Sequence, residues 1–204
     1  MLHGAGGPDA NTKRIAVSLQ SSQKQVVEYD FARFVGDQLQ APYNAQRIGD
    51  FLAEELRAGE NPPRRIHIVG VSVGAFAADR LASRLAEDHR FAHIRLTLLD
   101  PFTARGIPGL LRPDSAFGVT YFGSSPRVFT ESVFNRDDPV PSTSLPLRHA
   151  VNFDVTETAA RSKFVPLPGD TLHSWPAAWF GSNPGALERM SASGLPQGSV
   201  TLVP

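Results

Sequence analysis

The residues best suited to chemistry are a serine between glycines, Gly70-Val71-Ser72-Val73-Gly74, and a few histidines and carboxylates downstream of it. In a G-x-S-x-G segment the glycines admit a sharp turn from a strand into a helix, because a larger side chain would collide where those elements pack. The turn exposes the serine hydroxyl, and the helix amino end points free N–H groups and a positive dipole at it. The flanking residues have the required order, with RIHIV before the turn and AFAADRLASRLAE after it. The bland alternative is a tight glycine-rich turn with an incidental serine. A nucleophilic serine needs a base, and the base needs an orienting acid. His173, in GDTLHSWP, follows the last clear strand and is the expected base. His149 stands at a strand start, and His67 lies inside a strand. His89 and His93 are spaced i, i+4, but no third ligand is in view, so a solvated helix end is expected and no metal or cofactor. Two acids qualify, Asp100 in LTLLDP and Asp138 in NRDDPVP beside Asp137, one of them serving the imidazole and the other structural.

The elements that must position these residues alternate between strand-like and helix-like, the pattern of an α/β fold with a mostly parallel sheet. Gln25–Tyr29, Arg65–Val69, Ile94–Leu99, Val128–Phe134 and Ala150–Val155 read as strands. A helix opens at Pro42, with Ile48, Phe51, Leu52 and Leu56 on one face, and stops at Gly59 and Pro62-Pro63. Ala75–Glu87 is the helix after the serine, and Trp175–Phe180 lies in a late one. The stretch Phe102–Gly123 reads as a long irregular loop, and loops of that length are commonly lids or substrate walls. Its Leu110 and Leu111 are candidate substrate-binding residues. The tail from Ser182 reads as irregular, and its Val200–Val203 run has no assigned place.

Composition narrows the function classes. With 204 residues, 41% of them hydrophobic, the chain fits one compact domain over 1–204. Twenty Lys and Arg balance twenty Asp and Glu, which argues against nucleic acid as a partner, since phosphate binding calls for a basic surplus. The absence of cysteine removes disulfides, thiolate metal sites and a cysteine nucleophile. No run approaches the ~20 apolar residues of a membrane span. Met1–Pro8 lacks the basic and apolar regions of a signal peptide, and the compartment stays open between the cytoplasm and secretion after loss of a leader.

Several segments resemble, in chain order, those of pancreatic-lipase-like enzymes: HGAGG, VVEYDF, PYNAQRIGDFLAEEL, IHIVGVSVGA and LTLLDP. NRDDPVPSTSLP is similar to the acid-bearing loop of fungal triacylglycerol lipases, and GDTLHSWPAAWF to the histidine loop of both groups. The resemblance spans most of residues 3–180. Departures are Val71 where histidine usually precedes the nucleophile, no disulfides, and no C-terminal lipid-binding domain. It implies a compact α/β-hydrolase fold with the triad in the order serine, acid, histidine, and hydrolysis of a small-molecule or lipid ester without a cofactor. It also implies an oxyanion hole formed by the N–H groups of Ala5 and Val73. Only Met1 and Leu2 precede HGAGG, so the strand that would deliver Ala5 is expected to be nearly absent. Asp100 is preferred as the acid, since it ends a strongly apolar strand and matches LLDP, whereas the fungal likeness favours Asp138. Rival readings are a thioesterase or acyltransferase using the same triad, and a non-catalytic binding or scaffold protein of the same fold.

Overall fold

The computed structural model describes residues 1–20, 25–35, 40–104, 117–168, 170–191 and 194–204. The elements in chain order are α1 (Ala10–Gln20), α2 (Ala32–Val35), α3 (Ala41–Ala58), β1 (Arg65–Val71), α4 (Gly74–Ala86), β2 (His93–Leu99), α5 (Phe117–Tyr121), β3 (Val128–Phe134), β4 (Val151–Asp154), α6 (Trp175–Ser182), α7 (Pro184–Ser191) and β5 (Val200–Leu202). The strands form one five-stranded sheet in the order β1-β2-β3-β4-β5. All four pairings are parallel, so the protein is an α/β fold with an all-parallel sheet flanked by helices.

Burial of both sheet faces explains the apolar, β-branched strands. On one face α3 and α4 cover Ile68, Leu96 and Leu98, with Phe76, Leu81 and Leu85 of α4 in the core. On the other, α1, α6 and α7 cover Val69, Leu99, Val133 and Phe153 with Ile15, Trp179, Phe180 and Leu187. The two helices α3 and α4 approach closely at Gly49, where a Cβ would stand 2.5 Å from the Ala77 carbonyl oxygen. The contact face of α3 is accordingly its small residues Ala45, Gly49 and Ala53, flanked by Ile48, Leu52 and Leu56. Phe51, expected on that face, is 47% exposed.

The tail is more ordered than its composition suggests. It contributes α7 and the edge strand β5, which pairs with β4 from Asn152↔Val200 to Asp154↔Leu202. In the expected strand Gln25–Tyr29, Tyr29 forms a single bridge, to Leu2. Leu2 also bridges Gly70, so it lies between Tyr29 and β1. Its N–H donates to the Val69 carbonyl at 2.9 Å, and its carbonyl accepts from Val71 N–H at 3.0 Å. Tyr29 N–H donates to the Met1 carbonyl at 3.1 Å, and the Met1 ammonium donates to the Val27 carbonyl at 2.6 Å. Two residues thus hold the amino terminus between two extended segments and anchor HGAGG, although the strand before it is reduced to the Leu2 bridges.

Candidate functional site

Across the sheet, Tyr29, Leu2 and β1 lie side by side, so chain order reverses between Leu2 and β1. Crevices at the carboxyl ends of parallel strands, beside such a reversal, are the general ligand sites of open α/β sheets. Gly4 follows Leu2, Ser72 follows β1, Asp100 follows β2, Asp138 follows β3 and His173 follows β4. All of them leave the same edge of the sheet.

Ser72 stands at φ 51°, a left-handed conformation unusual for a residue with a Cβ, between β1 and α4. Its N–H donates to the Leu99 carbonyl at 3.0 Å, and its own carbonyl accepts from Ala75 N–H at 3.0 Å and Phe102 N–H at 3.1 Å. Those three bonds hold the strained turn. The flanking glycines are required by contact: a Cβ on Gly70 would stand 2.6 Å from the Ala78 Cβ, and one on Gly74 would stand 2.4 Å from the His3 carbonyl oxygen. The amino-terminal loop passes directly over the serine, since a Cβ on Gly4 would lie 3.3 Å from the Ser72 Cβ.

His3 holds that loop, a role sequence reasoning did not assign to it. It is fully buried, stacks on Phe31 at 4.2 Å, and its Nε2 accepts the Phe31 N–H at 2.8 Å. The ring proton therefore sits on Nδ1, which donates to the Gly4 carbonyl at 2.6 Å. Ala5 is exposed beyond this anchor, and Val73 opens onto α4. Among the described residues, neither the Ala5 nor the Val73 N–H donates to another protein group.

His173 lies in a short 3₁₀ turn, Leu172–Ser174, capped by the Thr171 side chain. Its Nδ1 is 2.6 Å from Asp138 Oδ2 and 3.5 Å from Asp100 Oδ2. The hydrogen bond to the imidazole is made by Asp138, on the loop after β3, and not by the sequence-preferred Asp100. The reason is local: Asp100 N–H is tied to the Val133 carbonyl at 2.8 Å and its Oδ1 accepts the Asn135 N–H at 3.1 Å, which turns the side chain toward β3. Asp138 is instead carried outward by its loop, with Oδ1 accepting Val140 N–H at 2.8 Å and Oδ2 accepting the Thr143 hydroxyl at 2.5 Å. Asn135 also donates through Nδ2 to the Leu172 carbonyl at 2.9 Å, tying the histidine turn to the end of β3. Its position at a strand end, in FNRDD, was the available signal.

Burial disfavours a charged His173, but the Asp100 and Asp138 carboxylates outweigh it and hold the imidazole at about 9. Burial pushes the Asp100 carboxyl well above the usual carboxylate range. Asp138 is held below its ordinary value: burial opposes this, and the hydrogen bond and charge of His173 prevail. His173 Nε2 is buried without a hydrogen-bond partner among the described residues. No direct bond joins it to Ser72.

Comparison with protein-family models, with curated proteins and with solved structures returned no match. The site therefore stands on its geometry. Among the described residues, Asp100, Asp138 and His173 are a group of three whose ligand atoms lie within 4.8 Å of one another, close enough for a cation. The 2.6 Å contact from Nδ1 to Asp138 is a hydrogen bond, however, which makes the group an oriented imidazole. His89 and His93 are exposed, His149 is half-buried, and His67 is bonded to the Thr97 hydroxyl at 2.8 Å. A cleft of about 1320 Å³ lies along Arg65–Val69, Met1 and Val27, and none of Ser72, Asp100, Asp138 or His173 lines it. Leu110 and Leu111 fall outside the described residues. No described helix is long and apolar enough to cross a membrane.

Proposed function

We propose that the protein is a serine hydrolase of carboxylic esters with an α/β-hydrolase fold. The observation that carries the reading is the strained Ser72 turn sharing one sheet edge with an imidazole whose Nδ1 is held by a buried carboxylate. Asp138 fixes the tautomer with the proton on Nδ1, which leaves Nε2 as the basic nitrogen. Nε2 takes the Ser72 hydroxyl proton as the oxygen attacks the ester carbonyl, and the Val73 and Ala5 N–H groups receive the negative charge on the carbonyl oxygen. The imidazolium then protonates the departing alcohol, leaving an acyl group on Ser72. A water molecule attacks that acyl carbonyl, Nε2 takes its proton, and the acid leaves with Ser72 restored. Each role is a donor or acceptor already present, so the reaction as drawn needs no further group.

Two observations support the oxyanion assignment in particular. Both N–H groups lack a protein acceptor among the described residues, and Gly4 brings the amino-terminal loop against the serine. A fluorophosphonate probe should label Ser72, mapped by peptide mass analysis, and p-nitrophenyl acetate and butyrate should be turned over. Absence of labelling in folded protein would overturn the assignment. Faster turnover of acyl-CoA than of matched oxygen esters would move it to thioesters.

A further inference from the structure

Two carboxylates converge on one imidazole proton, and only one of them receives it. Asp138 accepts from Val140 N–H on Oδ1 and from the Thr143 hydroxyl and His173 Nδ1 on Oδ2, which leaves one acceptor position of the carboxylate open, on Oδ1. Asp100 is 1% exposed, and its only hydrogen bond among the described residues at the side chain comes from Asn135 N–H to Oδ1. Its Oδ2 is buried with no hydrogen-bond partner among the described residues, 3.5 Å from Nδ1. An ionised oxygen orphaned at that depth is costly, and a second anion alongside makes it more so. A proton on Oδ2 removes both costs, because the group becomes neutral and gains an O–H to donate. The acceptor at hand is the Asp138 carboxylate, an oxygen of which lies within 4.8 Å of an Asp100 oxygen.

We propose that Asp100 is a positioning residue held as a neutral carboxylic acid, which donates a hydrogen bond to the ionised Asp138 and steadies it against His173. This rests on the reading of Ser72, His173 and Asp138 as a triad. The charged groups acting on Asp100 are Asp138, from the loop after β3, and His173, from the turn before α6. The end of β3 presents the Asn135 backbone N–H. The consequence is for the base. With both carboxylates acting on it the imidazole is held at about 9, mostly cationic at neutral pH and unable to accept the serine proton. One neutral partner returns it toward the range where a general base works.

The test compares wild type with Asp100→Asn, a neutral near-isostere that can also donate to Asp138. Asparagine tolerates the left-handed backbone that position 100 adopts at φ 41°. Infrared difference spectra are recorded at neutral pH in an Asp79→Asn background, which removes the other carboxyl raised by burial among the described residues. The carbonyl stretch of a protonated carboxylic acid should be present with Asp100 and lost in Asp100→Asn. Its absence from the parent spectrum overturns the proposal. The His173 imidazole titration, followed by NMR, should move by less than about half a unit in Asp100→Asn, since one neutral group replaces another. A fall of about one unit or more means that Asp100 carried charge, and overturns it as well. Asp100→Ala, which cannot donate, should lower kcat about tenfold or more relative to Asp100→Asn, whereas equal kcat would remove the positioning role. The spectra and the titration need no turnover, so a failure to label Ser72 would sink the proposed function and leave these two readouts interpretable.

Discussion

Replacing Asp79 by asparagine removes a carboxyl group that the fold buries and does not fully compensate. Asp79 lies in α4 and is 2% exposed. Its Oδ1 accepts the Gly123 N–H at 2.8 Å, which ties α4 to the segment after α5. Burial raises the carboxyl from 3.8 to about 7, with the Gly123 bond and the Arg80 charge holding it back from rising further. The folded state therefore keeps a proton that the unfolded chain releases, and between those two values the native form binds more protons. Stability from this group is complete below the unfolded value of 3.8 and is lost as pH rises through about 7. A shift of about three units corresponds to about 4 kcal/mol at 1.36 kcal/mol per unit. Asparagine keeps the acceptor for Gly123 and does not titrate. Urea unfolding at a series of pH values, from about 3 to about 8.5, should show the wild type losing about 1.4 kcal/mol per pH unit relative to the variant between 3.8 and about 7. The curves should run parallel on either side. Any constant offset from the new amide N–H₂ cancels in the slope. Parallel curves throughout, or a wild type that gains on the variant as pH rises, would refute the reasoning.

Three further outcomes follow from the geometry. Asp138→Asn leaves His173 with an amide that can present N–H₂ to Nδ1 and stabilise the wrong tautomer, so kcat/KM for p-nitrophenyl butyrate should fall by up to about 10⁴-fold; retention within tenfold would return the orienting role to Asp100. Gly74→Ala places a Cβ against the His3 and Leu2 carbonyl oxygens, so urea unfolding should show a loss of about 1–3 kcal/mol, and fluorophosphonate labelling of Ser72 should slow; unchanged stability would mean that the loop moves aside freely. Glu131 is fully buried in β3, paired through both oxygens to Arg95 at 2.8 Å and hydrogen-bonded by Thr97; Glu131→Ala removes that buried partner, leaves Arg95 the exposed Glu188 at 3.2 Å, and should cost about 2 kcal/mol in the same assay, with a cost below about 0.5 kcal/mol counting against a structural role.

Residues close in sequence determined much of this protein. The β-branched runs read at 65–69, 94–99 and 128–134 and the glycines at 70 and 74 encode strand, turn and helix through near-neighbour sterics, and each element stands within two residues of where the pattern puts it. The same holds for α3, apart from Phe51, where the small residues pack against α4 and the large one faces solvent. α1 was legible and passed over: Asp9 and Thr12 exchange side-chain and backbone bonds at 2.7 and 2.8 Å, a local start signal. Its buried face includes the polar Asn11 and Thr12, so hydrophobic periodicity alone understates it. The edge strand β5 was not legible, because three residues become a strand only when β4 offers a free edge.

What the tertiary structure alone decided concerns groups far apart in the chain. His3 and Phe31 are 28 residues apart, and their bond fixes the loop over Ser72. Asp138 and His173 are 35 apart, and nothing in either segment states that 2.6 Å rather than 3.5 Å separates the imidazole from this acid and not the other. Asp100 directly follows β2 and Asp138 lies on the loop after the adjacent parallel strand β3, so sequence makes them near-equivalent. The difference comes from the Val133, Asn135 and Thr143 bonds, which aim one carboxylate back at the sheet and the other at the ring. Side-chain type and local spacing specify which groups are available. Only the packed sheet edge sets the sub-ångström differences and the burial that give each group its partner and its proton.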